Sequence, residues 1–351
     1  MSSYSASFVD LAKKALEMCA VREGETVAVL TQGDQRSDYA RTFMDAAGRL
    51  GAVPYQVVLP ESSSSLDGEQ GTWTVGTTPL AHNRPVVEAL KNADVLIDTM
   101  FLLFSKEQIE IQEAGTRILL CIEPLDLLAR LFPLPEIRER VEVGEQLLKN
   151  AQALRFTNAA GTDVTYRLGA YPVITQYGYT DTPGRWDHWP SGFVFTGGAD
   201  DGVDGKVVIA PGDILLPHKR YVQTPIELTI EHGRIVDIRG EVDAALLSDY
   251  MSAFEDEKAY GIAHIGWGLD HRARWSGLST DQRGMGMEPR SSYGNVLFST
   301  GPNGELGGSN DTACHVDIPM RGCSLLLDDE PIVVDGDVVV PEMKAVSGAG
   351  I

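Results

Sequence analysis

Long apolar runs are missing from this 351-residue chain. No stretch approaches the ~20 residues that a helix needs to cross a bilayer, so a membrane partner is not expected. Basic residues are scarce: Lys plus Arg number 29 against 50 Asp plus Glu, a formal net charge of −21. A surface so negative repels phosphate backbones and anionic lipid, which argues against nucleic acid as a partner and says nothing about fold. Cysteine is sparse too. Cys19, Cys121, Cys314 and Cys323 lie far apart with no Cys-x-x-Cys, which leaves neither a zinc knuckle nor a disulfide framework and suits a reducing cytoplasm. The first half has no Gly-x-Gly-x-x-Gly and no Gly-x-x-x-x-Gly-Lys-Ser/Thr; Thr31-Gln32-Gly33-Asp34 has one Gly and reads as a plain turn. Met1-Ser2-Ser3-Tyr4-Ser5 lacks a basic start ahead of an apolar core, so no secretory leader is expected and the location is expected to be cytoplasmic.

What is present divides into two textures, and the length leaves room for two domains. Residues 1–155 alternate helix and strand signals. Phe8–Ala20, Asp38–Leu50 (with Gly51 to cap it), Pro79–Asn92 and Ser105–Ala114 carry helical spacing or helix-start signals, and Pro124–Ala153 has room for one or two helices more. Between them stand β-rich runs at Glu25–Thr31, Pro54–Leu59, Asp94–Asp98 and Thr116–Ile122, and a Ser/Gly-rich loop at Ser62–Gly76. That alternation predicts an α/β scaffold domain with a mainly parallel sheet covered on both faces. Residues 156–351 predict a β-rich domain holding the candidate catalytic groups. Its short strands are expected at Val164–Arg167, Lys206–Ile209, Ile226–Glu231, Arg234–Ile238, Ser324–Leu327, Ile332–Val334 and Val338–Val340. His232-Gly233 and Asp335-Gly336 mark hairpin turns, and one helix is expected at Ala244–Phe254.

The chemistry starts at Ala313-Cys314-His315-Val316-Asp317-Ile318-Pro319. Apolar residues alternate with His315 and Asp317, and Pro319 closes the run, so it reads as a strand. Side chains two apart on a strand share a face. An imidazole and a carboxylate on one face are two legs of a metal site; Cys314 points the other way, into the core. His264, in Tyr260-Gly261-Ile262-Ala263-His264-Ile265-Gly266-Trp267-Gly268, can supply the third. Two His and one carboxylate with the other positions open is the facial triad of non-haem Fe(II) oxygenases. A His-x-Asp pair hydrogen-bonded at a sheet edge is the plainer alternative.

Two further stretches stand out. Tyr177 to Gly192 packs aromatics, Gly and Pro around Arg185, Asp187 and His188. So costly a loop suits a binding surface, and His188 could move a proton near neutral pH. Otherwise Trp186 and Trp189 would be packing. Ser292 to Asn303 ends in a Ser-Thr-Gly-Pro-Asn turn, where Ser299 or Asn303 could hold a substrate or simply cap the turn. Asp200 to Gly205 superficially matches a calcium loop, but Gly202 and Pro211 stand where ligands are needed. His82, His218, His232 and His271 read as surface or structural.

In sum the chain resembles the 2,5-dihydroxypyridine 5,6-dioxygenase family of bacterial nicotinate and picolinate breakdown, whose fold is similar to that of the M29-type aminopeptidases (aminopeptidase T-like). The likeness is carried by Asp98-Thr99-Met100, Gly115-Thr116-Arg117-Ile118-Leu119-Leu120, the block from Gly184 to Phe193, His264-Ile265-Gly266-Trp267-Gly268-Leu269, Phe298-Ser299-Thr300-Gly301-Pro302-Asn303 and Cys314-His315-Val316-Asp317-Ile318-Pro319. It implies one Fe(II) per subunit on His264, His315 and Asp317. It also implies a substrate site that includes His188 as the proton-transfer group and Ser299, with Arg185 from the same block as a further contact. Two positions depart from the family pattern: Phe104 stands for a His and Gln176 for a Glu. Losing both proton-handling groups should leave the metal site intact and leaves the exact substrate open, a related hydroxylated or carboxylated N-heterocycle included.

The activity implied is ring opening with O₂ and no added reductant, at the C5–C6 bond of 2,5-dihydroxypyridine, to an N-formylmaleamate-type product. The partners implied are the hydroxypyridine and O₂, and a homo-oligomer is the usual state for such enzymes. Two rivals remain. A two-metal aminopeptidase would need more carboxylates; between His264 and Asp317 the only Glu residues are Glu288 and Glu305, neither in a recognisable ligand motif. A metal-free binding protein that kept the fold would have no need of the intact triad.

Overall fold

The helix–strand alternation of the first half builds a five-stranded sheet. Its order is Val53–Leu59, Thr26–Gln32, Val95–Asp98, Arg117–Leu120 and Trp186–His188, every pair parallel. In this computed structural model residues 3–60 and 74–345 are described. Val95–Asp98 and Arg117–Leu120 are buried throughout, as strands of a sheet covered on both faces must be, and hence their continuous apolar runs. Helix Ser37–Arg49 turns Tyr39, Ala40, Phe43, Ala46 and Ala47 inward, one stripe at helical spacing. The chain leaves it through Gly51 at φ 74°.

Pro79–Asn92, expected as one helix, is instead a 3₁₀ turn, Pro79–His82, and a separate helix, Arg84–Lys91. Pro85, in the first turn of the second helix, has no N–H to continue the first turn into it. The loop expected at Ser62–Gly76 lies outside the described residues up to position 73.

The chain forms two compact units. The first takes in Met1–Gln70, Thr74–Pro133 and Tyr177–Ser191; the second takes in Leu134–Gln176 and Gly192–Ile351. The sequence placed a single divide at residue 155. The units part at Pro133 and Leu134, and the aromatic stretch returns to the first because Trp186–His188 pairs beside Arg117–Leu120. Three residues of Trp, Asp and His show no period that could announce a parallel strand. Since all five strands run the same way, Gln32, Asp98, Leu120 and His188 end on one edge of the sheet. Ligands of open parallel sheets bind outside the carboxyl ends of the strands.

The second unit is β-rich, as expected. A five-stranded antiparallel sheet runs Val316–Met320, Val296–Thr300, Ile262–Gly268, Phe193–Thr196, Ile174–Gln176. An eight-stranded sheet runs from Arg234–Gly240 to Asp337–Val338. Asp163–Arg167 and Cys323–Leu327 in the larger sheet alternate buried and more exposed side chains, the pattern of a sheet with one wet face. His232-Gly233 and Asp335-Gly336 turn at positive φ in both residues, the geometry of two-residue hairpins. The three inner strands of the smaller sheet are almost wholly buried.

Helix Pro135–Asn150 packs on that smaller sheet through Ile137, Val141, Gly144 and Leu148. A Cβ on Gly144 would stand 2.9 Å from Val194 Cγ1 and 3.1 Å from Trp267 Cζ2. Gly144→Val is therefore expected to destabilise the protein by about 1–3 kcal/mol through overpacking, read as a lower urea midpoint at unchanged m-value.

Candidate metal centre

The smaller sheet places the site. The strands Ile262–Gly268 and Val296–Thr300 pair Ile262 with Thr300 and Ile265 with Phe298. Three steps on one strand face two on the other, so one extra residue bulges out at Ala263-His264. A bulge breaks the ladder and leaves main-chain groups without strand partners. Ser299 fills the gap: its Oγ accepts from the His264 N–H at 2.9 Å and donates to the His264 carbonyl at 3.1 Å. The Ser299 hydroxyl, read from the sequence as a substrate contact, thus spends its one donor on the backbone that aims His264.

His315 precedes the edge strand Val316–Met320. Its Nδ1 lies 3.0 Å from the Thr300 carbonyl. A carbonyl only accepts, so Nδ1 carries a proton and Nε2 is the nitrogen turned toward the site. Nε2 faces Asp317 Oδ1 at 3.2 Å, and His264 Nε2 faces the same oxygen at 3.4 Å. The other carboxylate oxygen, Oδ2, lies 3.3 Å from Nε of Arg290. The ligand atoms of His264, His315 and Asp317 all lie within 4.8 Å of one another.

The electrostatics leave His264 and Asp317 in ligand form. Burial drives the His264 imidazole down to about 3, against the pull of Asp317 and with help from His315 and Arg290, so the ring is neutral. Burial alone would raise Asp317. Arg290, then His315, outweigh it and hold the carboxyl far below its usual range. Asp317 Oδ1 and both ring nitrogens of His264 are buried without a hydrogen-bond partner. Buried polar atoms left unpaired are costly, and two of these, His264 Nε2 and Asp317 Oδ1, face each other at 3.4 Å. A metal ion bonded at about 2.0–2.2 Å to nitrogen and oxygen fits between atoms 3.2 and 3.4 Å apart. The residues present fit a divalent cation with two imidazoles and one carboxylate as ligands.

Two residues of the site went unread in the sequence. Arg290 ends the short buried helix Met287–Arg290, in a Gly- and Met-rich stretch without periodicity, so nothing announced it. Glu305 stands in no recognisable ligand motif of the sequence. The turn Gly304–Leu306 carries it to the centre, with Oε1 3.7 Å from His264 Nε2, and burial pushes its carboxyl up to about 7. Glu288, likewise in no such motif, accepts the Arg274 N–H at 2.6 Å and is structural.

The other candidates divide between the units. Gln176 ends the strand Ile174–Gln176 of the second unit and is buried. In the first unit His188 is fully buried, its Nδ1 2.6 Å from the Pro190 carbonyl just past the cis Trp189-Pro190 bond. Arg185 lies over the Tyr177 ring at 3.8 Å and pairs with Asp187 at 2.8 Å. Phe104 has φ 68°, as does Phe101. Asp98 anchors the turn between the two, its carboxylate accepting the N–H groups of Met100, Phe101 and Leu102, while burial raises it to about 6. Left-handed backbone in bulky residues is costly and gathers at functional sites. Of the remaining imidazoles, His218 lies edge-on to Tyr250 and His271 accepts from Arg140.

Comparison with known proteins shows the family. The NicX family profile, 2,5-dihydroxypyridine 5,6-dioxygenase, matches residues 7–340. The 2,5-dihydroxypyridine 5,6-dioxygenase of Pseudomonas putida KT2440 is 46% identical over 341 residues, covering 96% of this chain and 97% of that one. A solved structure of the dioxygenase from that organism superposes with a TM-score of 0.92 at 44% identity, covering 97% of this chain and 99% of the other. The aminopeptidase AmpT of Thermus thermophilus superposes with a TM-score of 0.67 at 16% identity, covering 96% and 100%. That likeness shows a shared fold, the aminopeptidase T-like α/β architecture expected from the sequence.

Proposed function

Because this chain belongs to the 2,5-dihydroxypyridine 5,6-dioxygenase family, we propose that it opens the ring of 2,5-dihydroxypyridine, or of a closely related hydroxylated N-heterocycle, with O₂. The reading takes one Fe(II) per subunit as cofactor, on His264, His315 and Asp317. The observation that carries it is the convergence of two imidazoles and one carboxylate, with His264 Nε2 and Asp317 Oδ1 buried and without a hydrogen-bond partner. When bound, Fe(II) would supply open positions for the substrate hydroxyl and O₂ and a path for electrons between them.

The protein's own groups do the rest. Arg290 holds one oxygen of Asp317 and leaves the other for the ion. Ser299 locks the bulge that aims His264. His188, with its Nδ1 proton held by the Pro190 carbonyl, is the proposed proton-transfer group. Phe104 and Gln176, which replace a His and a Glu of the family pattern, are proposed to set which ring is taken. Arg185, paired with Asp187, would then shape the substrate site through the loop it braces. The proposal extends to nicotinate- or picolinate-type degradation, a cytoplasmic location and a homo-oligomer. No helix among the described residues is long and apolar enough to cross a membrane.

The test is O₂ uptake after anaerobic reconstitution with Fe(II), using 2,5-dihydroxypyridine and a panel of hydroxypyridines. Stoichiometric uptake with loss of ring absorbance, absent in His315→Ala, is the expected result. Activity on a different ring alone would assign Phe104 and Gln176 to specificity. Release of amino acids from peptides, with no uptake for any ring, would replace the dioxygenase with a hydrolase.

A further inference from the structure

Two carboxylates approach His264 Nε2: Asp317 Oδ1 at 3.4 Å and Glu305 Oε1 at 3.7 Å. Only Asp317 belongs to the group whose ligand atoms are all within 4.8 Å of one another. Two ligands of one ion stand at most about 4.2 Å apart, twice a metal–oxygen bond. Glu305 is therefore near enough to His264 to face the ion and too far from another ligand to bind it with them. Its Oε1 is nonetheless buried with no hydrogen-bond partner. The turn that presents it is fixed on both sides. Leu306 packs in a cluster with Phe193, Phe195 and Leu297, and Asn303 Oδ1 accepts the Asn310 N–H at 2.9 Å. A rigid, buried acceptor aimed beside a ligand set awaits a donor.

We infer that Glu305 accepts a hydrogen bond from a hydroxyl group brought to the ion, so that it positions an oxygen-bearing substrate rather than the metal. This rests on the metal reading of His264, His315 and Asp317. It also gives a reason for the chain to tolerate an unpaired carboxyl oxygen there: the substrate completes it. The ligand class selected is a ring that carries a hydroxyl, in preference to one that offers only a lone pair or a negative charge.

The experiment compares wild type, Glu305→Gln and Glu305→Ala without O₂. Fe(II) affinity is read by competition with a chromogenic chelator. On the loaded proteins, absorbance titrations follow binding of a hydroxypyridine panel that includes 2,5-dihydroxypyridine, and binding of azide, which has no proton to donate. Unchanged Fe(II) affinity in both variants is expected. Glu305→Ala should bind the hydroxypyridine about 10- to 100-fold more weakly, the worth of a hydrogen bond to a charged group. Glu305→Gln, which keeps a carbonyl acceptor, should lose less, and azide affinity should hold or rise in both. Loss of Fe(II) would make Glu305 a metal ligand and overturn the inference. So would equal weakening of hydroxypyridine and azide, no change in either, or loaded wild type that binds no hydroxypyridine. Wild type that takes up no Fe(II) would instead overturn the reading of the triad itself.

Discussion

Asp317→Asn is expected to weaken binding of a divalent cation about 100-fold or more, and to abolish O₂ uptake. Four-ligand zinc sites are worth about 10–16 kcal/mol, so one ligand carries about 3 kcal/mol. An amide oxygen keeps the shape of the carboxylate and loses its charge, which here both imidazoles and Arg290 face. Anaerobic titration with Fe(II) or Co(II) would measure the loss. Thermal unfolding of the metal-free protein controls for folding, since the substitution also leaves Arg290 without its counter-charge. An Asp317→Asn protein that keeps wild-type cation affinity would refute the assignment of this carboxylate as a ligand.

Arg290→Met is the second large effect, and it has a distinctive sign. The Arg290 side chain is 3% exposed and its Nε sits 3.3 Å from Asp317 Oδ2. Removing one partner of a buried ion pair costs about 3–5 kcal/mol because the other charge stays buried and uncompensated. The metal-free variant should therefore unfold at markedly lower denaturant. Metal should restore more stability to Arg290→Met than to wild type, because the cation supplies the missing positive charge. Chemical denaturation of both proteins, with and without Zn²⁺, gives the four stabilities needed. An equal metal increment in both would show that Arg290 does not act through Asp317.

The sequence carried most of the architecture because its signals were periodic. The parallel sheet followed from apolar runs set between helical stripes, and the hairpins from His232-Gly233 and Asp335-Gly336. The two His and one Asp were legible because strand periodicity puts residues 315 and 317 on one face. What escaped lacked a period. Trp186–His188 is too short to alternate, so its place in the first unit's sheet was invisible. Arg290 and Glu305 reach the centre from a four-residue helix and a three-residue turn, where only the folded chain decides what lies nearby. Ser299 was read as facing a substrate because a hydroxyl in a Gly/Pro turn is polar in any context. The bulge it satisfies arises from pairing between distant strands.

That bulge bears on how such a protein could change its trade. Side chains on a strand alternate, so a one-residue slip transfers every later residue to the opposite face. His264 faces the other ligands because the strand Ile262–Gly268 is one residue longer than its partner between the paired positions. Deleting that residue would restore a regular ladder and turn the imidazole away while leaving the sheet paired. A single codon lost at this point would therefore be a short evolutionary step from a chain that gathers these three side chains to one that keeps only the scaffold. Any relative that pairs these strands without the extra residue should be read as having left the chemistry behind, however well its fold superposes.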